Sequence, residues 1–233
     1  MAQETGKTAL VAGGSGLVGA RLLPLLLETS DYVRVHALSR RPLPLDHPRL
    51  ANRVLRFDQS LQAQTKGLQC QDAFCCLGTT IRDAGTQQAF RAVDHDLVLE
   101  FARLALTAGA ERLVLISAVG ASATSRNFYL RVKGETEQAL AALRIRALDI
   151  MAPSVLLGTR RTLRPLEWLV QGALWTINPL LLAGSARYRA ISADTVAAAM
   201  LGAARSGRRG VNRYGYNDMR ALAASTRRQS ARL

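Results

Sequence analysis

Tyr129 and Lys133 are the two residues of this sequence whose types and spacing best suit proton transfer. Four residues apart on a helix, their side chains share one face, about one turn from each other. A lysine ammonium beside a phenol lowers the pKa of that phenol, which is otherwise about 10, toward the range useful for proton transfer. The spacing alone is common by chance, and a solvated helical pair is the alternative. Two other features support the chemical interpretation: a glycine-rich loop upstream, and Ser117 at the end of an intervening strand.

The glycine loop, residues 13–19, separates an apolar run at residues 8–12 from a leucine-rich segment that begins at Ala20. This pattern predicts a buried strand, a tight turn and a helix. We assign seven loop residues to cofactor binding: Gly13, Gly14, Ser15, Gly16, Leu17, Val18 and Gly19. Two glycine registers fit, 14/16/19 and 13/16/19, and both direct backbone N–H groups at a helix N-terminus toward a pyrophosphate. A tight turn without a ligand is the alternative.

Arg40 and Arg41 follow the next predicted strand, residues 32–38, at the position that selects between two dinucleotide cofactors. An NAD-selective site places Asp or Glu there to bond the ribose 2′-hydroxyl, but this chain has no acid before Asp46. Guanidinium groups suit a 2′-phosphate because they are always charged and bind it with two hydrogen bonds. The sequence therefore predicts NADP(H) in preference to NAD(H). An ordinary basic loop is the alternative in so arginine-rich a chain.

Strands and helices alternate along the chain, which predicts an α/β fold with a Rossmann-like, doubly wound parallel sheet. Further strands are predicted at residues 54–58, 73–77, 112–117 and 147–151, and helices at 88–108 and 126–143. Ser117 then marks the carboxyl end of a strand, at the edge of such sheets where ligands bind. Asp58 and the small-residue loop Gly78-Thr79-Thr80 fall at the same edge.

The composition is that of an alanine- and leucine-rich α/β protein with a strong positive charge. The 233 residues are 48% hydrophobic and 5% aromatic, with a net charge of +14, and only three of the 31 basic residues are lysine. The charge is dense in residues 205–233, which we predict to be a solvated basic C-terminal tail. Because aromatic residues are not interleaved with it and no nucleic-acid motif is present, we do not expect a nucleic-acid partner.

Residues 1–204 are predicted to form one NAD(P)-binding Rossmann domain with a substrate or lid insertion at about 158–190. Arg160 and Arg164 in this insertion are candidates for contact with an anionic substrate. The apolar stretch 168–183 is too short and too interrupted to span a bilayer, so it predicts a lid or a dimer helix. Peripheral membrane contact is the minority alternative.

The three cysteines, Cys70, Cys75 and Cys76, form an odd set, which we interpret as small buried hydrophobic residues in a reducing compartment. They predict neither a disulfide nor a metal site. The first residues show no signal-peptide pattern. The sequence therefore predicts a cytoplasmic location.

Four motifs together resemble the short-chain dehydrogenase/reductase superfamily in its extended or atypical branch, and in particular the Tat-interacting-protein-like oxidoreductases and their bacterial NAD(P)-binding relatives. The motifs are Gly13/Gly16/Gly19, the run Leu77-Gly78-Thr79-Thr80, the run Tyr129-Leu130-Arg131-Val132-Lys133-Gly134-Glu135, and Arg160 with Arg164-Pro165 and Glu167-Trp168-Leu169-Val170. The similarity extends to about Ala204.

This resemblance implies specific roles. Tyr129 would give a proton to the substrate carbonyl, Lys133 would hold the ribose hydroxyls, and Ser117 would bond the substrate oxygen. The remaining assignments are Asp58 for the adenine, Leu77, Gly78 and Thr79 beside the cofactor, Pro153 and Ser154 at the nicotinamide, and Thr80, Arg160 and Arg164 for the substrate.

Three positions depart from the family pattern. The usual Arg-Pro-Gly after the sixth strand is Ala152-Pro153-Ser154 here, and the asparagine of the proton relay aligns with Asp94. Ser122 is a second serine that competes with Ser117 for the same role.

The leading hypothesis is an NADP-dependent oxidoreductase acting on a small carbonyl or alcohol. A cofactor-binding regulator or scaffold without significant turnover is the alternative, because a fold does not fix a function. Sugar-nucleotide epimerisation ranks last, since the chain after Gly158 leaves little room for a nucleotide-sugar subdomain. A homodimer is the default expectation.

Overall fold

The computed structural model describes residues 6–157 and 189–230. Its strands are β1 (Lys7–Ala12), β2 (Tyr32–Ser39), β3 (Leu50–Val54), β4 (Asp72–Cys75), β5 (Arg112–Ile116), β6 (Ala147–Met151), β7 (Leu156–Leu157), β8 (Ile191–Ser192) and β9 (Gly210–Tyr214). Its helices are α1 (Gly19–Glu28), α2 (Leu61–Gln64), α3 (Ile81–Ala84), α4 (Gln87–Arg91), α5 (Leu97–Thr107), α6 (Phe128–Ala142), α7 (Ala193–Arg205) and α8 (Tyr216–Ser230). A π-helical turn, Ala92–Asp96, joins α4 to α5.

Seven of the described strands form one parallel sheet in the order β3-β2-β1-β4-β5-β6-β9. The direction of winding reverses between β1 and β4, and ligands of such sheets bind in the crevice at the carboxyl side of that point. The predicted Rossmann-like, doubly wound parallel sheet is confirmed. Its crevice lies between the glycine loop after β1 and a second loop after β4, residues 76–80, which we call the β4 loop.

Apolar layers cover both faces of the sheet, which is why its central strands are almost continuously apolar. In β1, Val11 packs on the side of α1 and α7, whereas Leu10 packs on the side of α5. Cys75 and Cys76 also contact opposite layers, because successive side chains along a strand point to opposite faces of the sheet. The described cysteines are free thiols.

Helix α6 begins at Phe128, two residues later than predicted, because Asn127 caps it. The Asn127 side chain accepts a hydrogen bond from the Leu130 N–H at 3.1 Å. Farther along α6, Gly134 allows the loop after β5 to lie directly on the helix, since a Cβ at this position would be 2.1 Å from the Ser122 backbone. The loop after β5 and the helix with the tyrosine–lysine pair are thereby packed together.

Strand β3 lies earlier in the chain than predicted. It spans Leu50–Val54 rather than residues 54–58, and among the described strands it pairs only with β2. Its side chains are half-buried, and Val54 is 51% exposed, as is usual for a strand at the edge of a sheet. The apolar residues that suggested the later position, Leu55 and Phe57, pack on the core after the strand has ended.

Residues 210–230 belong to the folded domain, which corrects the prediction of a solvated tail there. β9 pairs with β6, and α8 packs on α7 with Met219 and Thr226 buried. A Cβ on Gly202 would lie 2.8 Å from the Leu222 carbonyl oxygen, so the two helices cross in close contact. The arginines of α8 lie on its exposed face. Because the helix has only a few buried residues beside them, the sequence of this segment resembles that of a solvated tail.

The predicted insertion at about 158–190 lies outside the described residues, apart from 189 and 190. Arg160 and Arg164 therefore have no described position. The two short strands on either side of the insertion, β7 and β8, pair in parallel. None of the helices in the described ranges combines the length and the apolar character needed to cross a membrane.

Candidate active site

The glycine loop adopts a backbone that only glycine accommodates at its first position. Gly13 has φ +81°, and a Cβ there would lie 2.4 Å from the Cys76 carbonyl oxygen and 2.8 Å from the Leu77 nitrogen. The loop after β1 is therefore in direct backbone contact with the β4 loop. These two loops form the walls of the crevice.

The structure selects one of the two glycine registers. A Cβ on Gly19 would lie 2.2 Å from the Gly13 carbonyl oxygen, and one on Gly16 would lie 3.2 Å from the same atom. At Gly14 the nearest atom is the end of the flexible Leu23 side chain. The register is therefore 13/16/19, and Gly14 is the least demanding position. Val18, before the first turn of α1, contributes no side-chain cap. The Ala20 and Arg21 N–H groups donate to the Gly16 and Val18 carbonyls at 2.9 Å each, so an anion at this turn would be held by the loop N–H groups that precede them.

The β4 loop connects the glycine loop to the tyrosine–lysine helix. A Cβ on Gly78 would lie 3.4 Å from Asp94 Oδ1 and 3.9 Å from Lys133 Nζ. The Thr79 N–H donates to Asp94 Oδ2 at 2.8 Å. Gly78 thus covers a buried ion pair with backbone alone.

That ion pair joins Lys133 to Asp94, with Nζ and Oδ1 2.7 Å apart and both side chains almost fully buried. Asp94 lies in the π-helical turn, and such turns occur frequently at functional sites. The Thr136 hydroxyl donates to the Asp94 carbonyl at 3.0 Å and joins the turn to α6. Burial opposes the charge on Lys133, but Asp94, Tyr129 and Cys75 together outweigh it, so the pKa of the lysine is raised.

Tyr129 lies one turn before Lys133 on α6 and packs against Phe90 of α4, with ring centroids 5.6 Å apart. Desolvation raises the pKa of this half-buried phenol; Lys133 lowers it, Asp94 raises it, and the net shift is upward. The net lowering of the Tyr129 pKa that the sequence analysis expected is therefore not found. Burial of the phenol is the main cause of the raised pKa, and Asp94, whose charge balances that of Lys133, adds to it; neither could be read from the spacing of Tyr129 and Lys133.

Ser117 is buried after β5, and its hydroxyl donates to Glu137 on α6. The other carboxylate oxygen of Glu137 pairs with Arg213 of β9, whose guanidinium also donates to the Ala118 carbonyl at 2.8 Å. Burial raises the pKa of Glu137, although Ser117, Arg213 and Lys133 all favour its charged form. Sequence reasoning missed Glu137 and Arg213. The available signal was the position of Glu137, four residues after Lys133 and therefore on the same face of α6.

The second candidate serine, Ser122, is exposed, and its hydroxyl lies 3.0 Å from that of Thr124. Ser117 is the buried one of the two and lies closer in sequence to the carboxyl end of β5. The geometry therefore favours Ser117 over Ser122 as the serine of the crevice.

Arg40 and Arg41 are exposed at the carboxyl end of β2, in a turn that neighbouring residues hold in place. The Ser39 hydroxyl donates to the Arg41 carbonyl at 2.7 Å, and the Asn52 amide of β3 donates to the Ser39 hydroxyl at 2.7 Å. Leu43, which follows this turn, would lie 3.5 Å from a Cβ on Gly14. The two arginines therefore sit on a braced turn next to the glycine loop.

The other predicted residues lie around the same edge in varied settings. Asp58 is exposed and forms an ion pair with Arg56 at 2.9 Å, which lowers the pKa of its carboxyl. The Pro153 carbonyl accepts from the Val119 N–H at 2.8 Å, which places it beside the loop after β5. The Ser154 hydroxyl donates to the Arg189 carbonyl at 2.6 Å. Thr80 caps the short helix α3 through the Asp83 N–H.

The cysteine thiols are unreactive by environment. Burial raises the pKa of Cys75 and that of Cys70 to about 12. In the part of the chain that the structure describes, no three acidic, histidine or cysteine side chains gather as metal ligands would.

Similarity to curated proteins is clear, although no protein-family model matches the chain. Over 169 residues the chain is 37% identical to Protein HTATIP2 of Rattus norvegicus. The aligned region covers 71% of this chain and 69% of that protein. Over 159 residues it is 35% identical to Protein FMP52, mitochondrial, of Debaryomyces hansenii, with coverage of 66% and 69%.

Solved structures share the fold at low sequence identity. A UDP-glucose 4-epimerase from Thermotoga maritima with UDP-glucose aligns with a TM-score of 0.67 at 15% identity, covering 94% of this chain and 82% of that one. MoeE5 in complex with UDP-glucose and NAD aligns with a TM-score of 0.66 at 17% identity, covering 94% and 81%. At this identity the likeness establishes the fold alone.

One expectation from the sequence is wrong. The FMP52 proteins of Debaryomyces hansenii, Candida glabrata and Saccharomyces cerevisiae are all named as mitochondrial, which contradicts the predicted cytoplasmic location. The prediction rested on the missing signal-peptide pattern, and that pattern reports on secretion rather than on organelles.

Proposed function

This chain belongs to the atypical branch of the short-chain dehydrogenase/reductase superfamily, in the group that includes HTATIP2 and FMP52, and from that premise we propose that it is an NADP-dependent oxidoreductase. Its substrate would be a small carbonyl compound or the corresponding alcohol. The resemblance drawn from the sequence motifs is thereby confirmed at the level of the family. Cofactor preference, chemistry and residue roles belong to the proposal.

One continuous line of contacts supports the proposal most strongly. The glycine loop touches the β4 loop at Gly13, and the β4 loop touches Lys133 at Gly78. Tyr129 lies one turn away on the same helix face. A dinucleotide with its pyrophosphate at the glycine loop would extend along this line, and the absence of Cβ atoms at both glycines leaves room for its close approach.

Tyr129 would act as the proton donor in carbonyl reduction. Because its pKa is raised, the phenol keeps its proton at neutral pH, which is the form that can donate. A nicotinamide cofactor, when bound, would supply the hydride that the carbonyl carbon receives. The phenol proton goes to the carbonyl oxygen, so the products are the alcohol and the oxidised cofactor. Reduction is the direction that this ionisation state favours.

Arg40 and Arg41 would bind the 2′-phosphate of NADP(H). Their turn is held next to the glycine loop by Ser39 and Asn52, and no described residue forms an ion pair with either guanidinium. Two arginines at the end of β2 can form charge-assisted hydrogen bonds to a phosphate that NAD lacks.

Calorimetric titration with NADPH and NADH tests the cofactor proposal. We expect the wild type to bind NADPH more tightly, and the double variant Arg40→Ala/Arg41→Ala to lose about tenfold or more of the NADPH affinity with little change for NADH. The matched control is Arg208→Ala/Arg209→Ala, which removes two exposed arginines at the opposite edge of the sheet. If both double variants lose NADPH affinity equally, net charge rather than a 2′-phosphate site is responsible.

A screen of carbonyl substrates with NADPH then tests the chemistry, with Tyr129→Phe as the blank. Failure of the wild type to bind either nucleotide would reject the whole proposal. Binding of NADPH without any turnover would instead favour the second candidate, an NADP(H)-binding regulator. Two observations favour that candidate: Asp94 balances the charge of Lys133, and the Ser117 proton is directed to Glu137.

A further inference from the structure

The hydroxyl of Ser117 has a single proton, and Glu137 accepts it. A serine side chain offers one donor and two acceptor lone pairs, and an ionised carboxylate can only accept. As long as Glu137 is ionised, Ser117 must therefore donate to Glu137. In that state it has no second proton with which to bond a substrate oxygen.

Arg213 fixes Glu137 in this arrangement. It pairs with Glu137 Oε2, while Ser117 donates to Oε1. The same guanidinium donates to the carbonyl of Ala118, the residue after Ser117. The Glu137 side chain is only 13% exposed. Serine, carboxyl and guanidinium thus form one closed unit between β5, α6 and β9.

We propose that Glu137 is a positioning residue that decides the direction in which Ser117 donates its proton. Ionised Glu137 takes the Ser117 hydrogen bond and withholds it from substrate. Protonated Glu137 donates to Ser117 Oγ instead, and the Ser117 hydroxyl then donates to the substrate oxygen. The inference deepens the proposed reductase function and rests on it.

The groups that face Glu137 set the pH at which this change occurs. Among the described residues these are Arg213 from β9, Ser117 after β5 and Lys133 one turn earlier on α6. All three favour the carboxylate, but burial outweighs them, so the pKa of Glu137 lies above that of an ordinary glutamate. Carbonyl reduction should therefore fall by a distinct step as pH rises through the Glu137 pKa, before any loss caused by ionisation of Tyr129.

The decisive variant is Glu137→Gln. Its carboxamide oxygen can accept from Arg213 while its NH2 donates to Ser117, which fixes the productive hydrogen bond at every pH. We expect the Glu137 step to disappear from the pH profile of kcat, with the rate above the step retained or raised. Glu135→Gln is the matched control, because Glu135 lies on the same helix but pairs with Arg91. A step that persists unchanged in Glu137→Gln would overturn the inference.

Arg213→Gln gives a second route if Glu137→Gln fails to fold, as checked by circular dichroism. Removing the guanidinium takes away a charge that favours the carboxylate, so the step should move to higher pH. An unmoved step would again overturn the inference.

The carboxyl carbon resonance of Glu137, followed against pH in 13C-glutamate-labelled protein, tests the hydrogen bond without reference to turnover. Ser117→Ala should raise the Glu137 pKa, because the serine stabilises the charged form. An unchanged Glu137 pKa in Ser117→Ala would refute the inference whatever the activity. If the wild type binds NADPH but reduces no carbonyl, the proposed function fails, and this titration alone decides whether Glu137 controls the Ser117 proton.

Discussion

The parallel strands have buried charged residues near both their amino ends (the amino edge of the sheet) and their carboxyl ends (the carboxyl edge). The surroundings of these charges differ between the two edges. At the amino edge, Asp72 accepts from the Tyr32 hydroxyl at 2.8 Å and from the Lys7 ammonium at 3.1 Å, which ties β4 to β2 and β1. Nearby, Asp149 of β6 pairs with Arg112 of β5 and accepts from two side chains of β9 at 3.1 Å each. Each of these carboxylates is enclosed by donors from several strands.

The carboxyl edge has an equally buried pair, Asp94 with Lys133, but glycine covers it. Gly78 lies over the pair without a side chain. The neighbouring Gly13 contacts the backbone of the β4 loop, also without a side chain. Buried charge by itself therefore does not indicate an active site. Charge enclosed by side chains joins strands, whereas charge covered only by backbone remains within reach of a ligand.

Two tyrosine variants should show the largest difference between the two edges, one losing activity and the other losing stability. Tyr129→Phe removes the proposed proton donor, and we expect kcat for carbonyl reduction to fall by about 10²–10⁴-fold with little change in stability. Tyr32→Phe removes a donor to Asp72, and we expect the free energy of unfolding to fall by about 1–3 kcal/mol with kcat unchanged. Steady-state kinetics and urea denaturation measure both. Equal loss of activity in the two variants would remove the distinction between the edges.

Asp149→Ala should be the most destabilising of the proposed changes. It leaves the buried Arg112 guanidinium without its counter-charge, which costs about 3–5 kcal/mol in comparable cases. The NADPH affinity of the molecules that remain folded should be unchanged, since β4 and β5 separate β6 from the strand that carries the glycine loop. Urea denaturation followed by calorimetry on the folded fraction checks both parts. A stability loss well under about 1 kcal/mol would mean that the Asp149 pair is not structural.

Two alanine substitutions in the glycine loop should differ from each other. Gly13→Ala forces a positive φ on alanine and a clash with the β4 loop, so NADPH affinity should fall roughly 5- to 150-fold, equivalent to about 1–3 kcal/mol of strain. Gly14→Ala meets only the movable end of Leu23 and should cost much less. Calorimetry on both proteins tests the 13/16/19 register, which equal losses would contradict.

The smallest expected effect is a shift in a pH profile. Asp94 raises the pKa of Tyr129, so Asp94→Asn should lower it. Reduction needs the protonated phenol, and the rate falls as pH rises through the Tyr129 pKa; in the variant this fall should therefore begin at lower pH. The amide oxygen that this substitution introduces can still accept from the Thr79 N–H, so the β4 loop is preserved. A profile whose alkaline fall stays in place would show that Asp94 does not influence Tyr129.

Local patterns in the sequence were sufficient for the parts of the site that depend on neighbouring residues. The glycine spacing predicted the loop after β1, and the four-residue spacing placed Tyr129 and Lys133 on one helix face. The alternation of apolar runs predicted the parallel sheet, because central strands covered on both faces must be apolar. Each of these features is encoded in a short stretch of the chain.

The partners that set the chemistry of those residues come from distant parts of the chain. Arg213 reaches Glu137 across 76 positions, in a segment whose charge suggested a solvated tail. Asp94 was noticed only as a departure from an asparagine, and nothing in its neighbourhood indicated that it would pair with Lys133. The position of the edge strand β3 was predicted wrongly because a half-buried strand has no continuous apolar run that marks its residues.

The packing of α1 against α7 also dictates an order of events during biosynthesis. α1 emerges from the ribosome with the glycine loop, but its partner begins only at Ala193. At about 5–20 residues per second, the apolar face formed by Leu22, Leu23 and Leu26 waits roughly ten seconds or more for its cover. β6 likewise has an open edge until β9 is made, and exposed apolar faces and unpaired strand edges make a nascent chain prone to aggregation. We therefore expect α1 and the glycine loop to reach their final packing only after α7 has been synthesised.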